Sequence, residues 1–185
     1  MVTEALPIWQ AVALGVVEGV TEFLPVSSTG HLTITEKLLG LQVDDAAVTA
    51  YTAIIQVGAI AAAVIYFWRD IVTILVALAR GLFSREARTV PQWRLAIAVV
   101  VGSLPIGVVG LAAKDFIEGP LRSLWVVVGG LVVWSAVMIF AERAATQQRH
   151  ERDVTLTDGV VIGLVQCFAL VPGVSRSGAT ISGGL

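Results

Sequence analysis

Three apolar runs, residues 46–68, 93–113 and 121–141, each carry at most one charged side chain. Each is long enough to cross a hydrocarbon layer of about 30 Å as a helix of roughly 20 residues. Lipid offers no hydrogen bonds to exposed backbone, so segments of this kind must satisfy their own amides and carbonyls, which a helix does internally. The expected class is therefore an all-α, polytopic membrane protein. Composition agrees: 56% of the 185 residues are hydrophobic and 14% are charged, against about 25% charged in an ordinary soluble domain. The net charge is -2, with no basic block, which argues against a nucleic-acid partner. The single cysteine, Cys167, has no intrachain disulfide partner and reads as a small packing residue. The N-terminus carries Glu4 in place of a basic region and no small-residue cleavage site, so a removable signal peptide is not expected.

Two further apolar runs are too short to span. Residues 8–24 are closed by Pro25 and residues 156–171 by Pro172, and a proline disfavours helix in the residue before it. The first is followed by another short run, residues 28–41, across the elbow Pro25-Val-Ser-Ser-Thr-Gly30. Two short helices around a polar break predict a re-entrant hairpin over 8–41, with irregular backbone at membrane depth sheltered by protein. Residues 71–82 are again short and lead into Arg85, Glu86 and Arg88, which predicts an interfacial or partly inserted helix. A kink is expected at Pro105, loops at Asp44-Asp45 and at residues 114–120, and the most polar connection at residues 147–153. Trp9, Trp68, Trp93 and Trp125 sit near segment ends, as interfacial anchors do. Gln56 lies mid-span and needs a polar partner. The Gly15/Gly19 and Gly159/Gly163 pairs have the spacing that lets helices approach closely.

Arginine distribution sets an orientation. Arg69, Arg80, Arg85, Arg88 and Arg94 cluster in one connection, and Arg143, Arg149 and Arg152 in another, so both are expected on the cytoplasmic side. Three spans then separate the two proline elbows, and an odd number inverts the second relative to the first. Sliding the sequence by 148 (Gly15 onto Gly163) aligns Val17 with Val165, Glu18 with Gln166, Val26 with Val174, Ser27 with Ser175 and Gly30 with Gly178. The reading is one membrane domain, 1–185, built from inverted-topology repeats. Residues 1–150 form the first repeat, with its re-entrant hairpin and three spans. Residues 155–185 begin the second, with a second re-entrant hairpin, and that repeat is truncated, so a longer protein is expected. Broken helices meeting at the midplane are a plan suited to ion and anion sites.

The chemistry is concentrated in the two elbows. Glu18 and Glu22, four apart, share a helix face with about 5–6 Å between Cβ atoms. A divalent cation, Mg²⁺ or Ca²⁺, would offset both their repulsion and their placement in lipid; without one, a carboxyl could act as acid or base. Ser27, Ser28 and Thr29 stand where a helix restarts, so a hydroxyl can cap it while free amides face an anion. His31, one turn on, can move protons near neutral pH, whereas His150 lies in the polar connection. The second elbow, Pro172-Gly-Val-Ser-Arg-Ser-Gly-Ala-Thr180, surrounds Arg176 with Ser175, Ser177 and Thr180. A guanidinium matches phosphate oxygens, and an ion pair with Glu18 or Glu22 is its structural alternative.

Both stretches, with Ile55-Gln-Val-Gly58 and Tyr66-Phe-Trp-Arg69 between them, resemble the bacterial undecaprenyl pyrophosphate phosphatases of the bacitracin-resistance type. The glutamate-rich stretch fits one family motif and residues 172–180 fit the other at every position. The resemblance implies a multi-pass enzyme of the bacterial plasma (inner) membrane that hydrolyses undecaprenyl pyrophosphate to the monophosphate and inorganic phosphate, recycling the carrier lipid for cell-envelope synthesis. On this reading Glu18 and Glu22 bind metal, and Glu22 is also a candidate base. Arg176, Ser28, Thr29, Ser175, Ser177 and Thr180 hold the phosphates. Ser27 is favoured as nucleophile over a directly attacking water, with His31 as proton donor. A homo-oligomer is compatible with such a chain. The alternative from another class is a transporter or lipid flippase, since inverted repeats with broken helices are common there.

Overall fold

The computed structural model describes residues 6–43, 45–150 and 153–185; expectations resting on Glu4, Asp44 and Arg152 lie outside them. These residues form nine α-helices and short 3-10 turns, with no strand among them: α1 (Ile8–Thr21), α2 (Ser28–Leu38), α3 (Ala46–Tyr66), α4 (Trp68–Phe83), α5 (Pro91–Ala112), α6 (Lys114–Glu118), α7 (Leu124–Ala144), α8 (Leu156–Gln166) and α9 (Arg176–Gly184). Helices α3, α5 and α7 are long and apolar enough to cross a membrane, close to the three runs expected. The third starts later than the apolar run because the Ser123 hydroxyl accepts from the Val126 amide and opens the helix there. Residues 114–120, expected as a loop, contain the short helix α6. Trp68, expected to end the first span, begins α4 instead.

Helix ends follow local chemistry. The Asp45 carboxylate accepts from the amides of Ala47 and Val48 at 2.8 and 3.2 Å and opens α3. Pro91 occupies the first turn of α5, where its missing amide proton costs nothing. Thr155 and Asp158 form a reciprocal capping box at α8, and Arg149 bridges to Asp158 at 2.6 Å. At the end of α4, Arg88 folds back to donate from Nε to the Gly81 carbonyl at 2.6 Å and lies 5.8 Å over the Trp93 ring. Trp93 is thereby packed over Gly81, while Trp9, Trp68 and Trp125 are largely exposed.

Two packing features position the site. First, α5 and α8 approach with small residues on both sides. A Cβ on Gly102 would lie 2.7 Å from the Gly159 carbonyl, one on Gly159 would lie 2.5 Å from that of Ala98, and one on Gly163 would collide with that of Gly102. Ala98/Gly102 and Gly159/Gly163 thus form facing small-residue pairs, whereas Gly15 and Gly19 have nothing within 4 Å of such an atom among the described residues. Second, α7 runs between the two broken-helix segments. Leu131 covers Gly30 of α2, Gly130 abuts the Pro172 carbonyl and Gly173, and Met138 packs on Gly178 of α9.

The α1–α2 pair is an antiparallel hairpin, because Gln10 near the start of α1 donates to the Leu39 carbonyl just past α2 at 3.2 Å. The Tyr51 hydroxyl, early in α3, donates to Ala11 at 2.8 Å, so α1 and α3 start at one end of the bundle. Gln56 is half-buried with no hydrogen-bond partner among the described residues. A large share of the apolar side chains is exposed, including Ile54, Val57, Ile60, Val108 and Val132, the surface of a molecule whose solvent is lipid.

The glycine interface yields a first prediction. Gly163→Ala forces α5 and α8 apart and should lower stability in detergent by about 1–3 kcal/mol. Gly107→Ala, with nothing within 4 Å of the added atom, should stay within about 0.5 kcal/mol of wild type. Equal denaturation midpoints for the two variants would show that the close approach carries no energy.

Candidate functional site

The first break begins where α1 stops at Thr21. The chain turns through Val26, whose amide donates to the Leu24 carbonyl at 2.8 Å, and restarts at Ser28. The buried Ser27 caps α2, its hydroxyl accepting from the Gly30 amide at 3.4 Å. Its φ of 65° is in the left-handed half of backbone space, which a side chain other than glycine enters at a cost of about 1–3 kcal/mol. The His31 ring holds that turn, Nδ1 lying 2.9 Å from the Ser27 carbonyl. A carbonyl only accepts, so in this contact Nδ1 carries a proton and donates.

The second break repeats the device. Ser175 caps α9 by accepting from the Gly178 amide at 3.1 Å. Gly173 supplies the positive backbone angle, φ 94°, and a side chain there would strike the Val127 carbonyl of α7. The two breaks touch: the Ser177 hydroxyl donates to the Leu24 carbonyl of the first elbow at 3.2 Å. Between them lies a cavity of about 600 Å³ lined by Glu22, Ser27, Ser28, Thr29, Ser175, Arg176, Ser177 and Thr180, with Thr21, Phe67, Ala169, Val174 and Ile181 completing the wall. A larger cavity of about 940 Å³ lies against α4, with Arg80 and Glu86 as its charged lining residues among those described and no hydrogen bond from a hydroxyl to the Glu86 carboxylate among the described residues.

Counting protons distinguishes the hydroxyls. Ser28 donates to Glu22 Oε2 at 2.6 Å, so the serine in contact with a carboxylate is Ser28, whereas Ser27, the favoured nucleophile from sequence, accepts the cap bond and has no hydrogen bond to a carboxylate among the described residues. With Ser177 donating to Leu24, the 3.0 Å contact between the Ser175 and Ser177 hydroxyls requires Ser175 to donate, and both protons are used. Thr180 donates to the Arg176 carbonyl at 3.0 Å. Thr29 is exposed, and its hydroxyl donates to no partner among the described residues. Ser175, Ser177 and Thr180, read from sequence as phosphate ligands, therefore build the second elbow before any ligand arrives. Arg176 is exposed and forms no ion pair within 4.0 Å among the described residues, so the alternative of a bridge to Glu18 or Glu22 is not realised. It remains available to an anion.

Glu18 is set apart. It is 1% exposed, does not line the cavity, and neither carboxylate oxygen has a hydrogen-bond partner among the described residues. A buried carboxylate without partners is costly unless a proton or a cation compensates it. His31 is half-buried beside the elbow and is likewise absent from the lining. Phe67 and Leu24 join the site unforeseen. Phe67 arrives from the end of α3 with no chemical signal in its sequence context, and Leu24 contributes only a carbonyl.

The fold and site together define a helical membrane protein with an anion-ready cavity between two broken-helix segments. A family model described as bacitracin resistance protein BacA matches residues 11–185. Undecaprenyl-diphosphatase 3 of Frankia casuarinae is 59% identical over 176 residues, 95% of this chain and 63% of that protein. The undecaprenyl-diphosphatase of Acidothermus cellulolyticus is 57% identical over 175 residues, again 95% of this chain and 63% of the relative; that of Mycobacterium ulcerans is 48% identical over 177 residues, 96% and 63%. The chain thus spans just under two thirds of the length of these relatives. It belongs to the bacitracin resistance protein BacA family.

Ser27 makes the strained elbow testable. Ser27→Ala loses the cap and keeps the unfavourable angle, so stability in detergent should fall by about 1 kcal/mol. Ser27→Gly gives up the cap but relaxes the backbone, and should unfold later than the alanine variant. The reverse order would show that the turn is not strained.

Proposed function

We propose that this chain carries the catalytic elbows of a membrane phosphatase that removes the terminal phosphate of undecaprenyl pyrophosphate, releasing the monophosphate carrier lipid and inorganic phosphate. The observation that carries the proposal is the 2.6 Å hydrogen bond from the Ser28 hydroxyl to Glu22 in the same cavity as the unpaired Arg176. A nucleophile, its base and a fixed positive charge are what phosphoryl transfer requires, since catalysis there is mostly positioning and charge neutralisation. The family and the names of the relatives supply the substrate class.

In the proposed reaction Ser28 Oγ attacks the terminal phosphorus as its proton passes to Glu22. The bond from that phosphorus to the bridging oxygen breaks, and prenyl monophosphate leaves. Glu22 passes its proton to the departing monophosphate; it then takes a proton from the water that attacks the phosphoserine and returns it to Ser28 Oγ as the Oγ–P bond breaks, and inorganic phosphate is released. Arg176 and the free amides at the start of α2 and α9 hold the phosphate oxygens, joined by Thr29. His31 acts on this view by holding the Ser27 carbonyl, and with it the elbow, more than as a direct donor. The orphaned oxygens of Glu18, one turn before Glu22, fit a divalent cation, Mg²⁺ or Ca²⁺, held by these two carboxylates. When bound, the cation neutralises charge on the pyrophosphate.

The matching serine caps, the contact between elbows and the antiparallel α1–α2 hairpin support inverted repeats with two re-entrant hairpins in a multi-pass protein of the bacterial inner membrane. The serine–carboxylate pair favours hydrolysis over transport, which has no use for a nucleophile beside a base.

Phosphate release from a prenyl pyrophosphate by the full-length protein in detergent tests the assignment. Ser28→Ala should lower turnover at least about a thousandfold and Arg176→Ala at least about a hundredfold, both with wild-type thermal unfolding, while Ser27→Gly retains most activity. Chelation should stop release and Mg²⁺ or Ca²⁺ restore it. Full turnover by Ser28→Ala would remove the nucleophile role; release only across sealed vesicles with a gradient would favour transport.

A further inference from the structure

A second, smaller cavity of about 190 Å³ adjoins the first, and Thr29 lines both. Its other polar walls are Thr33 and Lys37. With Thr29 these stand at positions i, i+4 and i+8 of α2, one face of the helix, so the polar stripe rises about 12 Å from the elbow toward the helix end. Leu124 and Val127 of α7 and Pro172 of the second elbow form the apolar side. The crevice ends beside Val43, just ahead of α3, and Leu124 opens α7. It shares Thr29 with the cavity between the elbows and reaches residues at the end of the bundle where α3 and α7 begin.

The donors in this crevice can be counted. Thr33 donates to the Thr29 carbonyl at 2.9 Å, which leaves the Thr29 hydroxyl and the Lys37 ammonium open. Lys37 is exposed and forms no ion pair within 4.0 Å among the described residues. One free hydroxyl at the inner end and one free cation at the outer end, with no carboxylate in the lining among the described residues, suit a small anion. The space is several times that of a water molecule and far too small for a prenyl chain. Of the two products of the proposed reaction, the lipid monophosphate can leave sideways into the bilayer. The inorganic phosphate has no apolar part and needs a polar way out. We propose that this crevice is a second anion subsite that takes inorganic phosphate as it leaves the catalytic cavity, with Lys37 holding it at the mouth. The inference rests on the phosphatase reading above.

A subsite on the release path can be filled while substrate occupies the catalytic cavity, so added inorganic phosphate should show a noncompetitive component of inhibition alongside the competitive one. The test is steady-state hydrolysis of a prenyl pyrophosphate by the full-length protein in detergent, at graded inorganic phosphate. Lys37→Gln should raise the noncompetitive inhibition constant roughly fivefold, the worth of one partly exposed charge contact. The competitive constant and KM should be unchanged, and Lys37→Arg should keep the wild-type value. Purely competitive inhibition in the wild type overturns the subsite, as does a noncompetitive constant that Lys37→Gln leaves within twofold. A KM that rises in step would overturn it too, by assigning Lys37 to the substrate head group. A wild-type protein that releases no phosphate at all would instead overturn the phosphatase reading on which this one stands.

Discussion

A helix interrupted inside a membrane leaves backbone amides and carbonyls that neither lipid nor the helix itself can satisfy. Two helix interruptions occur here, after α1 and after α8, and the packing around them closes both. At each, a serine one residue before the new helix accepts from the glycine amide three positions on, Ser27 from Gly30 and Ser175 from Gly178. The Leu24 carbonyl accepts from the Val26 amide within the turn and also from Ser177 of the second break, and the Ser27 carbonyl faces both the amide and the ring of His31. The first elbow is thus completed partly by a hydroxyl of the second. The same need explains α7, which passes Leu131, Gly130 and Met138 against Gly30, Gly173 and Gly178 and so shelters irregular backbone with close-packed helix. The residues that make the breaks tolerable are also those that face the cavity, and stability and chemistry are not separable at this place.

The long elements were legible because their signal is summed over some twenty residues: α3, α5 and α7 needed only uninterrupted apolar sequence. The short ones were legible through punctuation, Pro25 and Pro172 closing the helices and Ser27 and Ser175 reopening them. What could not be read was anything decided by a single hydrogen bond. Ser27 and Ser28 are adjacent and chemically identical, and only the turn angle at Ser27 decides that one caps the helix while the other meets Glu22. Glycine spacing had the same limit. Gly159 and Gly163 meet α5, whereas Gly15 and Gly19, equally spaced, meet nothing described. A sequence motif states that close approach is permitted, not what comes close. Phe67 enters the cavity because α3 ends where it does, and no property of the phenyl ring announces that.

The internal likeness of the two elbows gains meaning from the structure. Placing Ser27 on Ser175 puts Ser28 on Arg176 and Glu22 on Leu170. Ser28 and Arg176 are each the first residue of the restarted helix, the position whose side chain stands beside the free amides and the positive end of the helix dipole. One copy spends it on a hydroxyl backed by a carboxylate, the other on a fixed positive charge. On the proposed reading the first elbow brings the serine–carboxylate pair and the second the arginine that cleavage of a phosphoanhydride calls for. Divergence at one equivalent position, with the cap on either side of it kept, is enough to turn two similar anion-facing turns into one asymmetric site. The contact from Ser177 to Leu24 matters for that reason, because it joins the two elbows on which the proposed site depends.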